Sequence, residues 1–316
     1  MDKSNEWEFN RNVEASLIEK LKGQRLWQEK LKGDCEKGEV FLAIRNGYIS
    51  FYHKGGSLFK FDNKGFSTHR KHAIVIDVDE ENAPKNYIYD GELSNIQINN
   101  FFDGYDGIKK NCELYPGVEA EGVSKLYQKS SYLCDEPFFV LDIEIAFKKE
   151  EGKQARIDIL LYDTSSRKLR FVEAKHFSNS DIWSKNEPKV ITQIKEYEGQ
   201  IAKHEKDLVD KYGLYIDCLN LIFNKQFKFP QCIDPNVSLL IFGFDEEQRR
   251  GDRFQELIYD NLEYSRIPMY CKGDPKGLNA EKIWKQVKVK TTAVRFNIGN
   301  PPKTVAKSHQ QVPAVV

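Results

Sequence analysis

The chain has no excess of charge of either sign: 48 Lys and Arg balance 48 Asp and Glu over 316 residues. A net charge of zero excludes a global basic field, so contact with a polyanion has to come from a local patch. No apolar run approaches the ~20 residues of a membrane helix. Charged residues make up 30% of the sequence and the mean hydropathy is low, which speaks for a soluble chain without a membrane partner. The opening stretch, MDKSNEWEFNRNVEASL, carries acids and no apolar segment, so no signal peptide is expected. The six cysteines (Cys35, Cys112, Cys134, Cys218, Cys232 and Cys271) form no C-x-x-C pair, and no His–Cys cluster has zinc spacing. Reduced thiols in a cytoplasmic setting are the simplest account. Lys54-Gly55-Gly56-Ser57 lacks the spacing of a Walker loop, so an energy-coupled step would need a partner chain. Asp77-Val78-Asp79-Glu80-Glu81 lacks the Gly and the terminal Glu of an EF-hand and reads as a solvated turn.

What the chain does have is a run of three apolar segments from Phe138 to His176. They read as strands at about Phe138–Phe147, Ala155–Tyr162 and Leu169–His176, joined by the polar turns Lys148–Gly152 and Asp163–Arg167. Rich in Val, Ile, Leu and Phe, they should be buried on at least one face. Yet Glu144, Asp158, Glu173 and Lys175 sit inside them. Charged side chains are rarely buried unless they are paired or hold a metal. Alternation puts Glu173 and Lys175 on one face, with Ala174 opposite. A short turn makes the second and third strands antiparallel neighbours, so Asp158 can stand beside Glu173. Two such carboxylates repel unless a cation lies between them. Magnesium suits the pair, since it takes oxygen ligands and is often held by one or two carboxylates. Lys175 on the same face could orient an attacking water and stabilise developing charge.

Asp158 followed by Glu173-Ala174-Lys175 at the end of the next strand resembles the PD-(D/E)xK nuclease signature, with Ile157 in place of the Pro. The helix PKVITQIKEYEGQI carries Gln193 and Tyr197 four residues apart on one face, and resembles the Gln-x-x-x-Tyr motif of the RecB-like branch. The resemblance covers roughly Tyr115–Tyr270. It implies a restriction-endonuclease-like α/β domain with a central mixed sheet flanked by helices. It implies Mg2+ (with Mn2+ able to substitute) on Asp158, Glu173 and the Ala174 carbonyl, with Lys175 assisting water and Gln193 and Tyr197 placing the phosphate. A helical Glu before the first strand often joins such sites. Glu119 fits better than Glu121, because it shares a helical face with Val123 and Leu126; a first-turn acid complementing the helix dipole is the plain alternative. Glu144 is either a further ligand or a solvent-facing strand residue. Taken singly, Glu-x-Lys is a common string on solvated strands, and Tyr197 fits the apolar stripe Val190, Ile194, Tyr197, Ile201. The order of the three motifs on strand, strand and helix is much rarer than any part.

The rest of the chain divides as follows. Residues 1–110 read as a smaller β-rich domain for recognition or assembly: a helix over Asn12–Lys32 ended by Gly33 and Gly38, a meander (Glu39–Arg45, Tyr48–His53, Ser57–Asp62) and a strand over His72–Asp79. Its aromatic and basic residues could bind nucleic acid, or the aromatics could form the sheet's own core. Residues 111–291 form the nuclease-like domain, with a helix Pro116–Tyr132, a helix Pro188–Lys211 ending at Gly213, strands Leu214–Phe223 and Val237–Phe244, a helix Gln248–Tyr264 and an edge strand Ile267–Cys271. The polar loop Phe177–Glu187 should overhang the site, where Trp183 and Lys185 could touch substrate or Trp183 could instead cap the core; Arg249, Arg250 and Arg253 could contact phosphate or mark an exposed helix end. The Pro-rich tail 292–316 reads as disordered. The function expected is a metal-dependent nuclease acting on DNA, resembling restriction or phage-defence effectors, with a homo-oligomer or partner protein in view. A non-catalytic binding module on the same fold is the alternative, and a paired-carboxylate hydrolase of carbohydrates or nucleotides is a third reading.

Overall fold

The computed structural model describes residues 9–73, 87–90, 100–148 and 154–286. Helix α1 (Ala15–Lys22) is followed by a π-turn at Trp27–Leu31 and by α2 (Lys32–Glu36). Helical structure therefore runs through Gly33 to Glu36, four residues beyond the expected end at Lys32. Leu31 and Cys35 continue the buried stripe of Leu17, Ile18, Leu21 and Trp27, and that burial outweighs the ~1 kcal/mol a helical glycine costs. Gly38, at φ 75°, turns the chain into the first strand.

Strands β1 (Val40–Ile44), β2 (Ile49–His53), β3 (Gly56–Asp62), β4 (Gly65–His69) and β5 (Tyr87–Tyr89) form an antiparallel sheet in chain order. Sequence reading found the first three and missed β4 and β5, the latter lying at the start of a stretch read as turn-rich from Tyr87 to Asp106. Instead of opening a strand, His72 lies within a short helix α3 (Arg70–Ala73). Residues 74–79 of that expected strand, and the acidic turn at 77–81, lie outside the described residues. Phe41, Phe51, Phe59 and Phe61 are fully buried, so these aromatics are core. Helix α4 (Tyr105–Cys112) spans the expected boundary near residue 110, and α5 (Val118–Ser130) follows.

The larger sheet contains β6 (Phe138–Lys148), β7 (Gln154–Asp163) and β8 (Lys168–His176), within a residue of expectation. They form an antiparallel run. Helix α6 (Lys189–Phe223) is 35 residues long and bends at His204, where φ is −124°. It corrects the expected helix end at Gly213 and the expected strand over Leu214–Phe223. Tyr212, Tyr215, Ile216, Leu219, Ile222 and Phe223 are buried at helical spacing, so the apolar run is one face of a helix. Strand β9 (Cys232–Ile233) pairs the start of β8, and β10 (Ser238–Phe242) pairs β8 in parallel. The expected helix 248–264 is broken into α7 (Glu246–Arg250), α8 (Asp252–Phe254), a π-turn at Gln255–Tyr259 and a tight turn at Leu262–Tyr264. Strand β11 (Met269–Lys272) is a parallel edge on β10, and α9 (Ala280–Gln286) closes the described chain. The result is a mixed α+β molecule. Its second sheet has the order β11-β10-β8-β7-β6, with β9 beside β8.

One apolar core runs through both sheets: Phe9 meets Phe147 and Tyr212 at ring distances of 5.8 and 5.6 Å. Asp142 of β6 ties the halves together. Its buried carboxylate accepts from Arg45 Nη1 at 2.7 Å, Arg11 Nε at 3.0 Å and the Tyr212 hydroxyl at 3.2 Å. All six cysteines are free thiols. Among the described residues no helix is long and apolar enough to cross a membrane.

Candidate active site

The site lies where β7 and β8 part. Their ladder pairs Ile159 with Val172 and goes no further toward the C-terminal end of β8. That register sets Asp158 opposite Glu173 just past the last pair. In place of a ladder bond, the Ala174 N–H donates to Asp158 Oδ2 at 2.8 Å. The Glu173 side chain is buried, and Lys175 Nζ donates to its Oε1 at 2.7 Å. Glu173 Oε2 is also buried and, among the described residues, has no hydrogen-bond partner. Asp158, Glu173, Ala174 and Lys175 are thus brought together, as their strand register requires.

The electrostatics follow from two carboxylates and one ammonium in little water. Burial pushes the Asp158 carboxyl up to about 7; Ala174 N–H and Lys175 pull it down, and Glu119 and Glu144 push it further up. Burial and then Asp158 push Glu173 well above the usual carboxylate range, against the pull of Lys175. Burial lowers Lys175, but Glu173 and Asp158 more than offset this and hold the ammonium above its ordinary value. The positive charge is secure, and it neutralises one of two crowded carboxylates. A cation or a proton must answer the other.

Glu119, in the first turn of α5, faces the same strand end. Its Oε1 accepts from His176 N–H at 3.1 Å and from Asn179 Nδ2 at 2.7 Å. Asn179 is a residue sequence reading did not single out; its Oδ1 meanwhile accepts from Asp181 N–H, which fixes the side chain. Glu144 stands opposite Asp158 on the other flank, between the pairs Ile143–Ile159 and Ile145–Ile157. It has φ 48°, the left-handed region that non-glycine residues seldom occupy inside a strand, and its Oε2 lies 3.6 Å from Arg156 Nη1.

Gln193 and Tyr197 lie on the face of α6 that meets the sheet. Gln193 Nε2 donates to the Tyr197 hydroxyl at 2.7 Å, and that hydroxyl donates to the Arg156 carbonyl. The pair therefore fixes α6 to β7 two residues before Asp158. Burial raises the Tyr197 phenol, and Glu173 and Asp158 add to the shift, so the hydroxyl stays protonated as a donor. Trp183 caps the core: its Nε1 donates to the Phe177 carbonyl, and its ring meets Phe177 and Phe254. Arg249 and Arg250 pair with Glu246 on exposed α7, and Arg253 lies over Trp183.

The donor set is entirely oxygen, with one buried oxygen unpartnered, and it fits a small hard divalent cation. Asp158 and Glu173 would hold it. Among the described residues no three His, Cys, Asp or Glu side chains converge as they stand. Glu119 is the nearest further acid by its contacts, and it is turned toward backbone and Asn179.

Comparison with protein-family models, with curated proteins and with solved structures finds no match to this chain.

Proposed function

We propose that the chain is a metal-dependent nuclease of the PD-(D/E)xK kind, hydrolysing phosphodiester bonds in DNA. One observation carries the reading: the half-buried carboxylate of Asp158 and the buried one of Glu173 share the opened strand end with a buried Lys175, and one Glu173 oxygen has no partner among the described residues. A paired-carboxylate acid–base site would leave no reason for a lysine bonded to one of its acids. The mixed sheet with parallel β8, β10 and β11 and antiparallel β6 and β7 agrees with a restriction-endonuclease-like core.

Magnesium held by Asp158, Glu173 and the Ala174 carbonyl would supply Lewis-acid charge at the scissile phosphate. The chain's own groups do the rest. Lys175 Nζ, held charged by Glu173, orients the attacking water and meets charge developing on the phosphoryl oxygens. Ala174 N–H aims the Asp158 carboxylate. Tyr197 and Gln193 are positioning residues that fix β7 through Arg156. Glu119 fixes the end of β8 through His176.

The test is cleavage of supercoiled, linear and single-stranded DNA with Mg2+, Mn2+ or EDTA, by the parent chain and by Asp158→Ala and Lys175→Ala. Metal-dependent cleavage lost in both folded variants supports the reading. A folded parent that neither cleaves nor binds Mg2+ overturns it in favour of a binding module.

A further inference from the structure

The smaller sheet presents a row of rings that its core does not use. Tyr87 on β5 is 45% exposed and Tyr115, between α4 and α5, is 49% exposed. Two imidazoles join them. Tyr87 meets His69 at 5.5 Å between ring centroids, His69 meets His72 at 5.7 Å, and His72 meets Tyr115 at 5.7 Å. Lys71 Nζ sits 3.9 Å from the centre of the Tyr115 ring, and the lysine is exposed. The row is anchored from below: His72 is buried and its carbonyl accepts from Asn111 Nδ2 at 2.8 Å. Burial and then Lys71 lower the His69 imidazole, and burial, His69 and Lys71 lower His72 to about 4, so the rings are neutral π surfaces at physiological pH.

The Tyr87 end of the row lies toward the acidic site, and the Tyr115 end is joined to it through the chain. Tyr87 is within electrostatic reach of Glu144 and Arg156, which flank Asp158. Tyr115 leads into α5, whose first turn carries Glu119. Exposed aromatic faces with an adjacent cation are what unpaired bases and their phosphates require. A duplex hides its base faces and would gain nothing from Tyr87 or Tyr115.

We propose that Tyr87, His69, Tyr115 and Lys71 form a stacking track that binds an unpaired nucleic-acid strand and leads it to the Asp158–Glu173–Lys175 site. This deepens the nuclease reading and rests on it for the direction of the strand, while the binding itself can be read without cleavage.

The experiment is fluorescence anisotropy on the full chain carrying Asp158→Ala, in EDTA, with labelled single-stranded DNA, single-stranded RNA and duplex DNA. Single strands should bind more tightly than duplex, and the DNA and RNA arms name the substrate. Tyr87→Ala and Tyr115→Ala should each weaken single-strand binding by about tenfold or more, and the Phe substitutions should restore it. Lys71→Ala should reduce the salt dependence by about 0.7 in the slope of log K against log salt. Single-strand binding unchanged by both Ala variants, or a preference for duplex, overturns the track. If the parent cleaves DNA and the Ala variants bind as it does, the track alone fails. If the parent never cleaves but the Ala variants lose binding, the track stands and the nuclease reading fails.

Discussion

Glu119 and His176 join α5 to the end of β8: the carboxylate takes the backbone N–H of His176 at 3.1 Å, one residue past Lys175. The same oxygen holds Asn179. A group that works by accepting hydrogen bonds is replaceable by an amide oxygen, whereas a group that binds a cation by its charge is not. Glu119→Gln should therefore keep cleavage within about threefold, and Glu119→Ala should lose about tenfold, in line with one to two lost charge-assisted bonds. Equal, large losses in both variants, with Mg2+ affinity reduced in both, would instead make Glu119 a ligand.

Asp158 makes stability depend on pH in a direction opposite to most carboxylates. Burial pushes its carboxyl up to about 7 in the folded chain, from 3.8 ordinarily. Between those values the folded state holds a proton that the unfolded state has released. The stability linked to that proton is complete below the unfolded value and is lost as pH rises through the folded one. Asp158→Asn has no such proton to lose. In EDTA, its stability relative to the parent should rise from about pH 4 toward pH 7; Asp158 also raises the neighbouring Glu173 carboxyl, so the rise reports the pair. Urea denaturation at several pH values measures this. A difference that is flat across that window would refute the assignment. Magnesium should stabilise the parent more at the upper end of the window, because binding needs the ionised carboxylate.

How far the sequence disclosed these features depends on how local they are. Strands β6, β7 and β8 were legible because each alternates over a short span and the turns between them are short; that fixed Asp158 beside Glu173. The second half of α6 was not, because Gly213 resembles a stop and LYIDCLNLIF is apolar enough to be a strand; only the tertiary burial of Tyr212, Tyr215 and Leu219 on one face decides it. Strand β4 is short and buries a single large apolar residue, Phe66, so its pattern is faint. The left-handed Glu144 and the clamp from Glu119 to His176 have no periodic signal at all. Nor does Asp142, whose cationic partners lie 131 and 97 residues away in sequence.

That hub predicts the largest structural cost of any single polar change. Asp142 neutralises Arg11 and Arg45 out of water, and Arg45 also donates to the Ile143 carbonyl at 2.8 Å. Removing the carboxylate leaves two buried guanidinium groups uncompensated. Asp142→Ala should destabilise the chain by about 3–5 kcal/mol, and Asp142→Asn by less. Thermal unfolding followed by circular dichroism would register it. A loss under about 1 kcal/mol would mean that water reaches both arginines.

Helix α5 is held against β10 by the absence of a side chain. A Cβ on Gly122 would lie 2.0 Å from the Phe242 ring, so the helix and the strand touch only because position 122 is glycine. Phe242 pairs in register with His176, the residue that Glu119 holds. Gly122→Ala forces Phe242 off its rotamer or lifts α5, at a cost of about 1–3 kcal/mol. If α5 lifts, Glu119 leaves His176 N–H, and cleavage falls by about the tenfold expected of Glu119→Ala. Adding Phe242→Leu to Gly122→Ala makes room for the methyl group and should return both stability and activity part of the way. Stability restored without activity would place the damage in β10 rather than in the helix that carries Glu119.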